Sequence, residues 1–181
     1  WPAELAGLPR VGSMDDAHVE AIVALAPDVV LASASARSLD RLEALGLRVV
    51  RLKSETHADV RRSLQRLALL LGTPAEGERV WARLEREMDD AALRVPAALR
   101  GARIYFEIGG GPYAAGAQSF IGETMARLGL ANIVSRGLGP FPKLNPEYVV
   151  RAQPDILMGV RAELQGMGAR PGWGLLAAVR N

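Results

Sequence analysis

Apolar positions in this chain switch repeatedly between a helical and a strand-like rhythm. Val19, Ile22, Val23 and Leu25 recur near the helical period, predicting a helix over 16–26 with Asp15 or Asp16 as its N-cap and Pro27 as its stop. The compact apolar run over 28–32 then predicts a buried strand, and Ser33, Ala34 and Ser35 form the loop beyond it. A helix over 38–45, closed by Gly46, leads into a strand over 47–52. Over 57–71, Val60, Leu64, Leu67, Leu70 and Leu71 share one helical side, and Gly72, Thr73 and Pro74 break the run.

The next segment, AEGERVWARLEREMDDAALR over 75–94, is different in kind. It predicts a long, highly charged helix whose narrow apolar stripe is Val80, Leu84 and Met88 with Trp81 beside them. Such a stripe suits a helix lying across the outside of two lobes. After Pro96 the alternation restarts: a strand over 103–108, a Gly/Pro-rich loop over 109–113 and a helix over 120–128. A short strand over 132–134, a helix over 146–152, a strand over 155–160 and a final helix over 172–179 complete it. Alternating strands and helices imply parallel sheets covered by helices. The expected architecture is α/β, two Rossmann-like lobes joined by one long backbone helix. The N-terminal lobe is read over 1–74, the linking helix over 75–95 and the C-terminal lobe over 96–181.

One unit occurs twice. VEAIVALAPDVVLA (19–32) and PEYVVRAQPDILMG (146–159) each carry a glutamate, an apolar helical run, Pro-Asp and a short apolar strand. Glu20 and Glu147 are 127 residues apart, as are Pro27 and Pro154. The lobes therefore read as pseudo-symmetric copies. A first-turn glutamate gains from the helix dipole, which accounts for both. The same two carboxylates would also offer one negative charge per lobe to a two-fold symmetric partner.

Composition narrows the classes. The chain of 181 residues is 49% hydrophobic, enough for a substantial core, and no apolar run approaches the length of a membrane helix. The 22 basic and 20 acidic residues are interspersed, giving no basic arm or stripe and no expectation of a nucleic-acid partner. The absence of cysteine removes disulfides, cysteine-ligated metals and a thiol nucleophile. Gly109, Gly110 and Gly111 follow a strand, but Pro112 comes next and neither GxGxxG nor GxxxxGK[ST] occurs, which argues against a nucleotide-binding Rossmann enzyme. Gly-x-Ser-x-Gly is absent too. Nothing in the sequence places Glu107 and Glu123 together as a catalytic pair, so no enzymatic activity is expected.

In order and spacing, several pieces resemble the helical-backbone (class III, TroA-like) substrate-binding proteins of ABC importers, which carry iron–siderophores, haem or cobalamin. They are Leu8-Pro9-Arg10-Val11-Gly12, HVEAIVALAPDVVLA, the long helix, GPYAAGAQSFIGETMARLGLANIV, GPFPKLNPEYVVRAQPDILM and the closing WGLLAAVRN. The resemblance covers nearly the whole chain. It implies that Glu20 and Glu147 meet arginines of an inner-membrane ABC permease, a pairing that carboxylate and guanidinium make bidentate and oriented. It implies a monomeric, periplasmic or membrane-anchored extracytoplasmic protein with no cofactor of its own and a metal chelate as ligand. A complete member would begin with a further strand and helix and continue past Asn181, so the chain, opening on Trp1, reads as a fragment. A sensor or surface interaction domain on the same scaffold is the alternative.

Ligands of open parallel sheets sit beyond the carboxyl ends of the strands. The candidate site residues are therefore in loops: Met14, Ser33, Ser35, Tyr113, Phe141, Lys143 and Arg161. Tyr113 and Phe141 are scarce aromatics in Gly/Pro-rich loops, suited to packing on a corrin or haem; the tyrosine oxygen could instead ligate ferric iron, or both rings could cap a small core of the loop itself. They match aromatic contact positions of cobalamin receptors, whereas Met14 and Ser33 stand where a cobalamin binder offers tyrosine and tryptophan. Lys143, Arg161 and Arg37 could pair with ligand carboxylates. His18 and His57 read as surface or helix-end residues, Trp81 and Trp173 as packing residues, and no resident metal site is expected.

Overall fold

The computed structural model describes residues 3–13, 16–109, 111, 113–159, 164 and 166–180, the last by its backbone alone. The chain forms two compact units, 1–53 and 54–181. Residues 74 and 75, where the sequence reading divides the first lobe from the linking helix, begin a helix of the second unit.

The first unit is a pair of helix–strand steps. Helix α1 spans Val19–Ala24, strand β1 Val30–Ser33, helix α2 Asp40–Ala44 and strand β2 Val49–Leu52. The strands are parallel, with Val30 opposite Val49 and Ser33 opposite Leu52. Ile22, Ala32, Leu39 and Leu42 form its core. Arg51 of β2 reaches over α2, donating to Asp40 at 2.5 Å, Glu43 at 3.2 Å and the Ala36 carbonyl at 3.0 Å.

Two expectations are corrected here. Asp16 does not cap α1: its N–H donates to Ser13 Oγ at 3.1 Å, which holds it in a turn ahead of the helix, and His18 is the N-cap. Asp15 lies outside the described residues. The segment 38–45 is not one helix either, since a 3₁₀ turn over Arg37–Leu39 runs into α2.

The second unit opens with a helical hairpin. Helix α3, His57–Leu70, starts at a capping box: Thr56 Oγ1 accepts the Asp59 N–H, and the Asp59 carboxylate accepts the Thr56 N–H. Helix α4, Pro74–Arg94, has 21 residues and is ~31 Å long at 1.5 Å per residue. It packs on α3 and on α5, Phe120–Arg127. Gly77 brings α4 close to α3: a Cβ there would be 2.9 Å from the Ala68 Cβ. Trp81 is buried edge-on to His57, with ring centroids 6.2 Å apart. Asp89 of α4 accepts from Arg127 of α5 at 2.7 Å, and that bond holds the exposed carboxylate below its ordinary range.

Strand β3, Arg103–Ile108, is the centre of the second sheet. The carbonyls of Ile104 and Phe106 accept from Ile133 and Ala115 on one edge. The carbonyl of Arg103 accepts from Asp155 on the other. Strand β5, Ala131–Asn132, and strand β6, Ile156–Met158, run parallel to β3. Strand β4, Tyr113–Ala114, returns antiparallel along it, with Tyr113 opposite Ile108 and Ala114 opposite Glu107. Tyr113 is thus strand, where a loop was expected: the turn is short enough to let the chain pair back on β3. Likewise β5 begins one residue earlier than read and ends at Asn132, and Val160, the expected end of β6, lies outside the described residues. Helix α6, Pro146–Ala152, is capped by Asn145, whose Oδ1 accepts the Glu147 N–H at 3.0 Å. A 3₁₀ turn over Trp173–Leu175 and helix α7, Ala177–Arg180, close the fold.

Alternation along β3 sets its two faces. Tyr105 points into a core with Val134, Leu144, Val149, Met167, Trp173 and Leu176. Ile104 faces the other way, with Ala115 and Met125. The parallel strand pairs and covering helices in each unit are the α/β class that the alternation predicts.

Candidate functional site

The carboxyl end of β3 gathers three of the sequence-predicted residues. Tyr113 bridges Lys143 antiparallel through the backbone, and the Ala114 N–H donates to the Pro142 carbonyl at 3.0 Å. Phe141 therefore lies two residues from the strand position that Tyr113 faces. Its ring meets that of Phe120, the first residue of α5, edge to face at 6.4 Å. Tyr113, Phe141 and Phe120 are 47%, 37% and 38% exposed, so three aromatic side chains in one region present surface to solvent while Lys143 supplies a cation. The edge-to-face contact with Phe120 gives Phe141 a local packing role, and both rings keep open surface.

The loop geometry depends on close backbone approach. A Cβ on Gly116 would stand 2.1 Å from the Gly139 carbonyl oxygen, and one on Gly122 would stand 2.1 Å from that of Gly116. Glycine at these two positions lets the 113–117 segment, the 139–142 segment and the start of α5 meet. Ser119 caps α5, accepting the Gly122 N–H at 3.0 Å.

Opposite Ala114, on the face of β3 that carries Tyr105, is a polar cluster that the sequence does not reveal. Glu107, fully buried, accepts from Arg170 twice, Nη1 to Oε2 at 2.5 Å and Nη2 to Oε1 at 2.6 Å. The Tyr105 hydroxyl donates to Glu107 Oε2 at 3.0 Å, and burial foremost, with the adjacent carboxylate, pushes that phenol well above its ordinary range. The Arg170 guanidinium lies 4.8 Å from the Trp173 ring centroid, over its face. Glu107 and Arg170 are 63 residues apart, and no local signal links them.

Glu123, read beside Glu107 as a conceivable pair, is committed elsewhere. It accepts the His57 N–H at 2.6 Å, and His57 Nε2 lies 2.9 Å from Thr124 Oγ1. Among the described residues, no three histidine, aspartate or glutamate side chains converge as a metal cage. No helix among them is long and apolar enough to cross a membrane.

In the first unit, Ser33 ends β1 and its Oγ lies 2.9 Å from that of Ser35, both exposed. Met14 and Arg161 lie outside the described residues. Glu20 sits in the first turn of α1, exposed and 4.0 Å from Arg41. Glu147 sits in the first turn of α6, also exposed. The repeat extends to the backbone: Ala26 and Gln153, each just before its proline, are the two non-glycine residues with positive φ among those described, both at 44°.

A sequence model of a periplasmic binding protein family matches residues 2–181. A vitamin B12-binding protein of Pectobacterium carotovorum is 28% identical over 165 residues, covering 87% of this chain and 59% of that protein. A cobalamin-binding protein of Halobacterium salinarum is 30% identical over 159 residues, covering 84% of this chain and 43% of its own length. The chain thus spans about half the length of these curated relatives. Among solved structures, a periplasmic haem-binding protein from Roseiflexus sp. RS-1 in its apo form superposes with a TM-score of 0.80 at 26% identity, covering 99% of this chain and 74% of that one.

Proposed function

This chain belongs to the periplasmic binding protein family, in its helical-backbone branch, and from that premise we propose that it captures a metal chelate for an ABC importer. The ligand class is a haem, a cobalamin or an iron–siderophore. The observation that carries this reading is the exposed aromatic group at the carboxyl end of β3, Tyr113 and Phe141 with Phe120, beside the cation of Lys143. Flat or macrocyclic chelates gain from aromatic faces, and their acidic side groups gain from a nearby ammonium. Met14, Ser33, Ser35 and Arg161 are the other ligand contacts proposed from the sequence. Its proposed role is binding, not catalysis; the two glutamates read as a conceivable pair are separately engaged, Glu107 by Arg170 and Glu123 by His57. Its place is extracytoplasmic, periplasmic or membrane-anchored, and it acts as a monomer.

Delivery is proposed to run through Glu20 and Glu147. Both are exposed first-turn carboxylates of the repeated unit, available to arginines of the permease. Titration with haemin, cyanocobalamin and a ferric hydroxamate, followed by tryptophan fluorescence, tests capture. Binding of one at micromolar or better is expected, and no binding to any of the three overturns the reading. The double variant Glu20→Ala/Glu147→Ala should keep that affinity and lose affinity for the permease. Unchanged permease binding would remove the docking assignment.

A further inference from the structure

We propose that the buried Glu107–Arg170 pair is a latch that positions Tyr113 for ligand, which makes Glu107 and Arg170 positioning residues for binding. The inference rests on the chelate-binding reading and deepens it.

The geometry is specific. Glu107 is the penultimate residue of β3 and pairs with Ala114, the residue after Tyr113. The turn touches the pair: a Cβ on Gly111 would be 2.8 Å from Glu107 Oε1 and 2.8 Å from Arg170 Nη2. Gly111 also has φ +68°, a conformation that disfavours any side chain. Backbone and ion pair are therefore in direct contact, two residues before the candidate ligand-binding tyrosine.

Energetics argue the same way. A buried ion pair gives little net stability compared with apolar residues of similar volume, because desolvation offsets the attraction. Stability alone does not explain placing a carboxylate with no exposed surface at the end of a strand. What the pair supplies is direction. Two parallel N–H···O bonds fix the guanidinium in one plane, the Trp173 face supports it at 4.8 Å, and Tyr105 holds the second carboxylate oxygen at 3.0 Å. A rigid polar floor of this kind fixes the Gly111 backbone that packs on it. Preorganising that turn lowers the ordering cost that ligand binding would otherwise carry.

The test uses the full chain and does not depend on knowing the ligand. The amides of Ala114 and Ala115 are bonded to the carbonyls of Pro142 and Phe106, so their hydrogen exchange reports opening of the turn. Glu107→Gln should raise that exchange roughly tenfold, about the value of one hydrogen bond, with amides of α6 unchanged. The double variant Glu107→Gln/Arg170→Met removes both charges of the pair. A purely structural role would be rescued by it, whereas a latch would not, so exchange should stay high. Gly111→Ala should open the turn from the other side with the pair chemically intact, and it serves if Glu107→Gln does not fold. Haemin, cyanocobalamin or ferrichrome, whichever the wild type binds, should bind each folded variant about tenfold more weakly, the equivalent of one lost hydrogen bond. Wild-type exchange at Ala114 and Ala115 in Glu107→Gln and Gly111→Ala, or its return in the double variant, overturns the latch. If the wild type binds none of the three chelates, the functional reading falls while the exchange data still decide the latch.

Discussion

Ala26 and Gln153 share a left-handed backbone, φ 44° at both, each directly ahead of a proline. The repeated Pro-Asp was legible in the sequence, yet this feature was not: the residue before proline is expected to be extended, and neither position carries the glycine or asparagine that marks a left-handed turn. The need to turn each helix back into its strand overrides the local preference. A non-glycine residue held this way costs about 1 kcal/mol. Ala26→Gly should therefore stabilise the chain by up to about 1 kcal/mol, seen as a higher urea midpoint at unchanged slope. Gln153→Gly should gain less, since it also removes the 2.7 Å bond from Gln153 Nε2 to the Val150 carbonyl. The site divides in the same manner. Tyr113 and Phe141 stood out as rare aromatics among glycines and prolines, whereas Glu107 with Arg170 and Phe141 with Phe120 are partners that only tertiary folding makes neighbours.

Elements were legible in proportion to their length. Helices α3 and α4 are long enough for periodicity to place them within a residue or so, and the Thr56–Asp59 capping box reinforces the first. The two-residue strands β4 and β5 have no periodicity to read and exist because β3 offers an edge to each. Helix α4 packs on α3 and α5, with Trp81 buried and Val80, Leu84 and Met88 half-buried. Gly77 shows what sets the α3–α4 spacing. Replacing it with alanine gains about 1 kcal/mol of helix propensity. Against this, the new Cβ meets Ala68 Cβ at 2.9 Å and the Leu64 carbonyl at 3.2 Å, and overpacking costs about 1–3 kcal/mol. The clash should win, so Gly77→Ala is expected to lower the urea-unfolding free energy by about 1 kcal/mol. A stabilised variant would mean that the hairpin separates at little cost.

At the scale of the molecule, each unit has buried clusters of its own. Ile22, Ala32, Leu39 and Leu42 serve residues 1–53, and the two other clusters serve 54–181. The first core is the smaller, so unfolding should not be two-state: in rising urea, amides of β1 and β2 should exchange before those of β3. Coincident loss of all of them would show one cooperative unit. The α/β class and the doubling of the unit could be read from the chain, while the division at Lys53 and Ser54 could not, because it depends on which core claims α3. The pairing of β1 with β2 has a further consequence. Among the described residues the first sheet consists of these two strands, and Leu31 of β1 is half exposed. A sheet of two four-residue strands over a small core has few contacts to lose together, so under mild denaturant proteolytic nicking should begin within residues 1–53.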